Sequence, residues 1–461
     1  MNGRAKVPNR DEVTTINDDG SRYMIHPSDV RGRFSLLRRL AAVVMIVVYL
    51  ALPFIPVGGY PAVFLDWEHS RFHLFGLTFV AQDLVMVFFL ITGLGFSLYV
   101  ATSVLGRVWC GWACPQTVFL EHVYRRIERW IEGDGPARRQ LDRAPWTFNK
   151  LGKRVLKHAL FWLFSAVIAH LFLAYFVSPS QLLGMLQHGP QGYWAPFFMV
   201  TVMTLLLYFN FAWFREQFCI ILCPYGRFQS ALIDEHTVNV GYDEKRGEPR
   251  GKVGTEGAGD CIDCRRCVQV CPTGIDIRQG LQMECIGCAN CIDACDDIML
   301  KLERPRGLVR YASQRNLSGF TTRWKRPRLF LYAALMLLGM TVLYLSSGRL
   351  KPTVFSVGRL PGIPYVLSEG KVRNMYQVRI INKRHEPRSY RLNVVAGGVA
   401  VERHGFESTV TVAAEMEDLQ TLVLLVNKED YRKGLEFELE LVPEQGSGSQ
   451  KKKVPFVGPD F

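Results

Sequence analysis

Five apolar runs of about 20 residues stand out along the chain, at residues 40–57, 84–105, 156–177, 195–214 and 329–346, and each predicts a helix able to cross a bilayer. Between the fourth and fifth runs the pattern turns polar and glycine-rich ("GYDEKRGEPRGKVGTEGAG", 241–259), which reads as a mobile link. Beyond residue 352 the period changes to two. "YQVRIIN", "SYRLNVVAG", "STVTVAA", "TLVLLVN" and "LEFELELV" alternate or run β-branched between turn-forming clusters. Roughly seven short strands in this stretch predict an immunoglobulin-like sandwich, and it contains no cysteine to form a disulfide.

Composition agrees with this layout. The chain has 461 residues, 49% of them hydrophobic, yet carries a formal net charge of +13, so apolar blocks alternate with basic ones. Lys and Arg crowd the tail before the first run and the loop after the second; the loop after the first run holds only Arg71, and the loop after the third holds none. The positive-inside rule then places the amino terminus in the cytoplasm. The first run lies too far from the start, and lacks a small-residue cleavage site, to be a removed signal peptide. Topology accounts for the basic excess, and no nucleic-acid module accompanies it.

Two cysteine pairs follow apolar runs with the same spacing. "CGWACPQTVF" (110–119) carries Cys110 and Cys114, and "CIILCPYGRF" (219–228) carries Cys219 and Cys223, so the membrane part reads as a tandem two-helix repeat. If the helix continues through the motif, each pair shares one face at i and i+4, with Pro115 and Pro224 ending or redirecting it. A reducing cytoplasm disfavours a stable disulfide. Four soft thiols brought together suit a monovalent copper ion, a zinc ion, an iron–sulfur centre or a reversible dithiol. Between the halves, "EHVYRRIERWIEG" (121–133) alternates at helical spacing, as an interfacial helix with arginines toward headgroups or a plain surface helix would.

The strongest motif is "CIDCRRCVQVCPTG" followed by "CIGCANCIDACDD". Each run has the C-x2-C-x2-C-x3-C spacing of a bacterial two-cluster ferredoxin, in which the fourth cysteine of each run serves the other cluster. Cys261, Cys264, Cys267 and Cys295 would hold the first [4Fe-4S] cluster; Cys271, Cys285, Cys288 and Cys291 would hold the second. Cys295 is followed by aspartate where the pattern has proline. Histidines offer less: His170 within the third run has no facing partner for haem, His69 and His73 form a two-residue pair without a third ligand, and His122 lies near Cys114. No dinucleotide or Walker loop is visible, so reducing power comes from an unidentified electron donor.

The fold class expected is a multi-domain membrane protein, a five-helix transmembrane α bundle with a cytoplasmic bacterial-type two-cluster ferredoxin insertion and a C-terminal all-β immunoglobulin-like sandwich. Its parts are a cytoplasmic tail (1–35), a four-helix membrane domain with both motifs (36–240), a linker (241–259), the ferredoxin domain (260–300), a basic connector (301–328), the fifth helix (329–346) and a periplasmic sandwich (352–461). The combination resembles the cytochrome c oxidase accessory protein family known as CcoG, FixG or RdxA. That resemblance implies a cupric reductase of the bacterial inner membrane, supplying Cu(I) for assembly of a copper-containing oxidase. It further implies two [4Fe-4S] clusters on the eight ferredoxin cysteines, and Cys110, Cys114, Cys219 and Cys223 as the candidate copper or redox site. Its partners would be copper ion, a copper chaperone or oxidase assembly factors, and membrane lipid. The alternatives are an electron-transfer subunit of a quinol dehydrogenase and a non-enzymatic copper chaperone or scaffold.

Overall fold

The first apolar helix begins well before its apolar run, because a distant carboxylate caps it. In the computed structural model, α1 (Arg33–Ala51) receives Asp293 at its amino end, where the carboxylate accepts the backbone N–H of Ser35 at 2.7 Å and of Phe34 at 3.3 Å. Four N–H groups at a helix start have no intrahelical partner, and an anion there also suits the helix dipole. Pro53 ends the helix early, since it cannot donate to the ladder. The structure describes residues 23–67, 70–80, 83–347, 352–368, 370–384, 386–395, 398–406, 409–414, 416–444 and 448–459. These form two compact units, Met1–Tyr344 and Leu345–Phe461.

Among the described residues, five helices are long and apolar enough to cross a membrane: Arg33–Ala51, Val85–Leu105, Phe148–Leu173, Trp194–Phe214 and Pro327–Ser346. After α1 come the hairpin β1 (Pro56–Val57) and β2 (Tyr60–Pro61) and an antiparallel meander, β3 (Val63–Asp66), β4 (Arg71–Leu74) and β5 (Leu77–Val80). His73 is packed inside this meander, stacked on Tyr60 with ring centroids 4.0 Å apart and hydrogen-bonded through Nδ1 to Thr78 at 3.0 Å. His69 lies outside the described residues.

The chain continues through α2 (Leu84–Leu105), α3 (Val108–Trp112), α4 (Pro115–Phe119), a π-type turn (Leu120–Tyr124), α5 (Arg125–Glu132), α6 (Gly135–Arg143) and α7 (Phe148–Leu173). Helix α5 does not turn all its arginines toward headgroups. Arg125, Glu128 and Glu132 are buried, while Trp130 is 78% exposed. The charges face inward because each finds a partner on a neighbouring element. Glu128 pairs with Arg138 at 2.8 Å and with Arg215, and Glu132 pairs with Lys157 at 2.9 Å and Arg154 at 3.0 Å. Burial alone would raise the Glu128 carboxyl, but Arg215, Lys157 and Arg138 outweigh it and hold it below the usual carboxylate range.

Next follow α8 (Pro179–His188), α9 (Trp194–Phe209), π-type turns at Asn210–Phe214 and Phe218–Leu222, and α10 (Pro224–Leu232). Within α7, His170 Nδ1 hydrogen-bonds the Ala166 carbonyl at 2.8 Å, a local helix contact. The cysteine-rich region is framed by β6 (Asn239–Tyr242) and β7 (Val309–Ala312), paired antiparallel, with α11 (Glu244–Gly247), α12 (Arg266–Gln269), α13 (Asn290–Lys301) and α14 (Gln314–Leu317). Residues 241–259, expected as a mobile link, are folded onto this frame. Asp243 caps α11 at 3.3 Å, and Arg246 ties it to Asp260 and to the Arg306 carbonyl at 3.0 Å. Turn-forming composition here marks turns rather than looseness. The tail residues also pack on the cysteine-rich region: Ser28 N–H donates to the Gln269 carbonyl at 2.8 Å, and Arg266 donates to the Asp29 carbonyl at 2.8 Å. Helix α15 (Pro327–Ser347) follows.

The second unit is a two-sheet β structure. β8 (Thr353–Arg359), β9 (Val366–Ser368), β10 (Lys371–Asn382), β12 (Glu402–His404) and β14 (Glu417–Asn427) form one sheet, ordered β12-β14-β10-β8 with β9 on β10. β11 (Arg388–Val395), β13 (Thr409–Val412), β15 (Glu436–Pro443) and β16 (Gln450–Pro455) form the other, ordered β13-β11-β15-β16. Alternate residues of β10, β11 and β15 enter a shared core with Phe355, Leu392, Leu422, Phe437 and Phe456. Two buried tyrosines keep their hydroxyls bonded, Tyr376 to the Pro455 carbonyl at 2.9 Å and Tyr390 to Thr353 at 2.8 Å.

Phe437 is fully buried and meets Phe456 edge-on at 5.3 Å. Phe437→Ala is expected to cost this unit about 3–5 kcal/mol. Thermal unfolding followed by circular dichroism checks this, and the visible absorption contributed by the first unit should stay unchanged.

Candidate metal centres

The cysteine-rich loops turn tightly by adopting left-handed backbone at non-glycine positions, with φ of 51° at Asp263, 54° at Arg265 and 63° at Ala289. Two cavities result. One is lined by Cys261, Cys264, Cys267 and Cys295. The other is lined by Cys271, Cys285, Cys288 and Cys291, with Cys267 in the shared wall. The fourth cysteine of each run thus lies with the other run's triplet, and each cavity offers a donor set that suits a [4Fe-4S] cluster. Burial pushes the thiol of Cys288 up to about 11 and those of Cys267 and Cys285 up to about 12, so iron must displace protons there. Aspartate in place of proline after Cys295 lets α13 run on to Lys301, and the Asp296 carboxylate accepts the Gly307 N–H at 2.9 Å.

The two C-x-x-x-C-P motifs share a backbone path that differs from the one expected. The preceding helix does not continue through either motif. It stops at a left-handed residue, Gly106 (φ 58°, ψ −129°) in the first copy and Arg215 (φ 51°, ψ −119°) in the second. A short turn then carries Cys110 or Cys219. The second cysteine is extended, Cys114 at φ −64°, ψ 125° and Cys223 at φ −69°, ψ 111°, because the residue before proline is kept out of the helical region. Proline opens the next helix at its first turn, where its missing N–H does no harm. The cysteines of a pair therefore sit on opposite sides of a break rather than one helical turn apart.

The copies lie side by side. Cys110 Sγ donates to Gln229 Oε1 on α10 at 3.2 Å, and Arg107 donates to the Gly226 carbonyl. Burial pushes the Cys110 thiol up to about 11, with Cys114 and Cys223 adding to it; burial likewise raises Cys219, with Cys114, Cys110 and Cys223 adding. All four thiols are thus electrostatic neighbours. Among the described residues, however, no three His, Cys, Asp or Glu side chains are gathered at the spacing of one metal ion's ligands. Burial, then Arg38, holds the His122 ring down to about 4, so it is neutral at pH 7.

The first motif is pressed against the second cavity. A Cβ on Gly111 would lie 2.6 Å from the Ile286 carbonyl oxygen and 2.9 Å from Cys288 Cα, so only glycine permits this approach. Gly287 (φ 65°) faces Arg107 and Val108 reciprocally: a Cβ on it would lie 3.2–3.3 Å from their backbone atoms. Arg38 of α1 bridges the contact, donating to the Gly111 carbonyl at 2.9 Å and to Asn290 Oδ1 at 2.7 Å. Trp112 donates to Tyr311 at 3.2 Å, and Tyr311 donates to the Gly287 carbonyl at 2.6 Å. Arg125, paired with Glu121 and Glu216, donates to the Pro272 carbonyl at 3.1 Å beside Cys271. Sequence reasoning missed these residues. A charge just ahead of an apolar run and a glycine between two cysteines were the available signals.

Comparison with known proteins gives three family matches: a 4Fe-4S dicluster domain over residues 214–314, a 4Fe-4S binding domain over residues 83–133, and the IG-like fold at the C-terminal of FixG over residues 343–459. Protein RdxA of Cereibacter sphaeroides is 40% identical over 427 residues, covering 87% of this chain and 89% of its own. Nitrogen fixation protein FixG of Rhizobium meliloti is 34% identical over 459 residues, covering 88% and 86%. Protein RdxB of Cereibacter sphaeroides is 36% identical over 432 residues, covering 88% and 89%.

Because the atoms facing Gly111 are backbone, they have little room to yield. Gly111→Val is expected to disturb the electron paramagnetic resonance signal of the cluster nearest the first motif and to lower the melting temperature. Gly152→Val, where nothing lies within 4 Å, serves as the control that leaves both unchanged.

Proposed function

The chain belongs to the FixG/RdxA family of iron–sulfur electron-transfer proteins, and from that premise we propose that it reduces Cu(II) to Cu(I) at the four motif cysteines, for assembly of a copper-containing cytochrome c oxidase. The observation that carries the reading is the contact of Gly111 with the Cys288 loop, which sets the first motif beside the second cluster cavity. When bound, two [4Fe-4S] clusters supply one-electron carriage between donor and thiols. Cys264 is the exposed cysteine of the eight and belongs to the first cavity, so that side meets the external donor. One electron reaching the thiols converts Cu(II) to Cu(I), and the donor replaces it; no covalent bond of a substrate is broken. Thiolate sulfur favours the monovalent ion, which suits release as Cu(I) to a chaperone or assembly factor.

The charge distribution supports a cytoplasmic location for the amino terminus, both motifs and the cluster region, with the carboxy-terminal sandwich in the periplasm and the helices in the bacterial inner membrane. A second reading has its own support. The 4Fe-4S binding domain match over residues 83–133, which contains Cys110 and Cys114, favours a third iron–sulfur centre at Cys110, Cys114, Cys219 and Cys223.

Anaerobically purified protein, reduced and mixed with Cu(II) and a Cu(I)-specific chelator, is expected to lose its reduced-cluster signal as the Cu(I) complex appears. Reoxidation that needs a quinone and ignores copper would instead indicate a quinol dehydrogenase subunit. Replacing all four motif cysteines by alanine is expected to abolish Cu(I) formation while leaving iron at about eight per chain, the content of two clusters. A fall from about twelve to about eight would establish the third centre.

A further inference from the structure

Arg107 lies where the two thiol motifs and the second cluster cavity converge. Its backbone faces Gly287 so closely that a Cβ there would lie 3.2 Å from the Arg107 carbonyl carbon and oxygen. Its guanidinium donates to the Gly226 carbonyl, three residues beyond Cys223. Its Nε is buried and has no hydrogen-bond partner in the protein. An arginine offers five donors in a rigid fork, so one committed to a carbonyl still has charge and an N–H to present to its surroundings.

We propose that Arg107 is a positioning residue for electron transfer, a fixed positive charge between the second cluster and the four motif thiols that raises the reduction potential of that cluster and holds the two motifs in register. An electron arriving at either centre adds negative charge, which a neighbouring guanidinium stabilises; net charge and hydrogen bonds around cluster sulfurs are the protein's main controls on potential. The charge reaches both sides. The Arg107 backbone lies against Gly287, between Cys285 and Cys288, and its guanidinium lies on the Gly226 carbonyl of the second motif. The part of this inference concerning copper rests on the proposed function; the effect on potential does not.

The test is a redox titration of the full-length, anaerobically purified protein, followed by electron paramagnetic resonance, for wild type, Arg107→Met and Arg107→Lys. The second cluster is identified as the signal lost in Cys285→Ala. Its potential is expected to fall in Arg107→Met and to return toward the wild-type value in Arg107→Lys, while the first cluster stays put. Cu(I) formation should slow at least tenfold in Arg107→Met. A shifted potential without any copper reduction, in wild type or variant, would keep the role of Arg107 and remove the copper reading. Unchanged potentials in Arg107→Met at full iron content overturn the proposal. So does equal loss of iron in the Met and Lys variants, which would make Arg107 a structural clamp only.

Discussion

Everything in the first unit depends on a backbone-to-backbone contact one glycine wide. Gly111 can sit on the Ile286–Cys288 loop only because it has no Cβ, and the contact brings the first thiol pair against the wall of the second cavity. Electron transfer falls steeply with distance, so a cluster domain swinging on a loose tether would reach the thiols only in passing. This chain prevents such motion. Arg38 ties the Gly111 carbonyl to Asn290, Asp293 caps α1, Tyr311 links Trp112 to Gly287, and Arg125 holds the Pro272 carbonyl. Each tie joins a residue of the apolar-helix region to a residue beside a cluster cysteine, so the cluster region is docked rather than tethered.

The charges buried near this contact follow a different logic. Glu128, Arg138, Arg215, Glu132 and Lys157 are all nearly inaccessible, and burying so many charges is weak evidence for stability in itself. Their effect is to fix geometry, because removing one partner leaves another charge uncompensated at a cost of about 3–5 kcal/mol. Arg215 shows why this matters. It is a non-glycine residue held at φ 51°, at the point where the helix before the second motif must stop. Its guanidinium is held by Glu128, so the ion pair keeps the strained backbone in place and sets the turn that presents Cys219.

What could be read from sequence was what is encoded locally. Cysteine spacing within the 261–295 stretch anticipated which four thiols line each cavity, since the loops are short and their partners lie within one segment. Apolar runs gave the five helices, though α1 and α7 begin earlier than their runs. The cap at Thr147 and the cap supplied by Asp293 extend them into polar sequence. Asp293 lies 258 residues from Ser35, and Arg38 lies 252 from Asn290, so no periodicity could announce either pairing. The break at the cysteine motifs was half legible. Proline signalled the break between the paired cysteines, but the earlier stop at Gly106 and Arg215, which sets the turn carrying the first cysteine apart from the apolar helix, depends on backbone conformations that hydropathy does not encode. The folding of residues 241–259 was hidden because glycine and proline mark tight turns and loose links alike.

The repeat itself is asymmetric, and the asymmetry assigns different work to its halves. The residue after the first cysteine is Gly111 in one copy and Ile220 in the other, so only the first copy can approach the cluster loop so closely. The second copy has its glycine three residues past Cys223. There a Cβ on Gly226 would meet the Cys219 carbonyl at 2.9 Å, and the Gly226 carbonyl receives Arg107 from the first copy. One motif is therefore shaped to face the second cluster cavity, and the other to close on its twin. A duplicated segment with two identical halves would give either two contacts to the cluster loop or none, whereas these halves differ and only the first makes the contact.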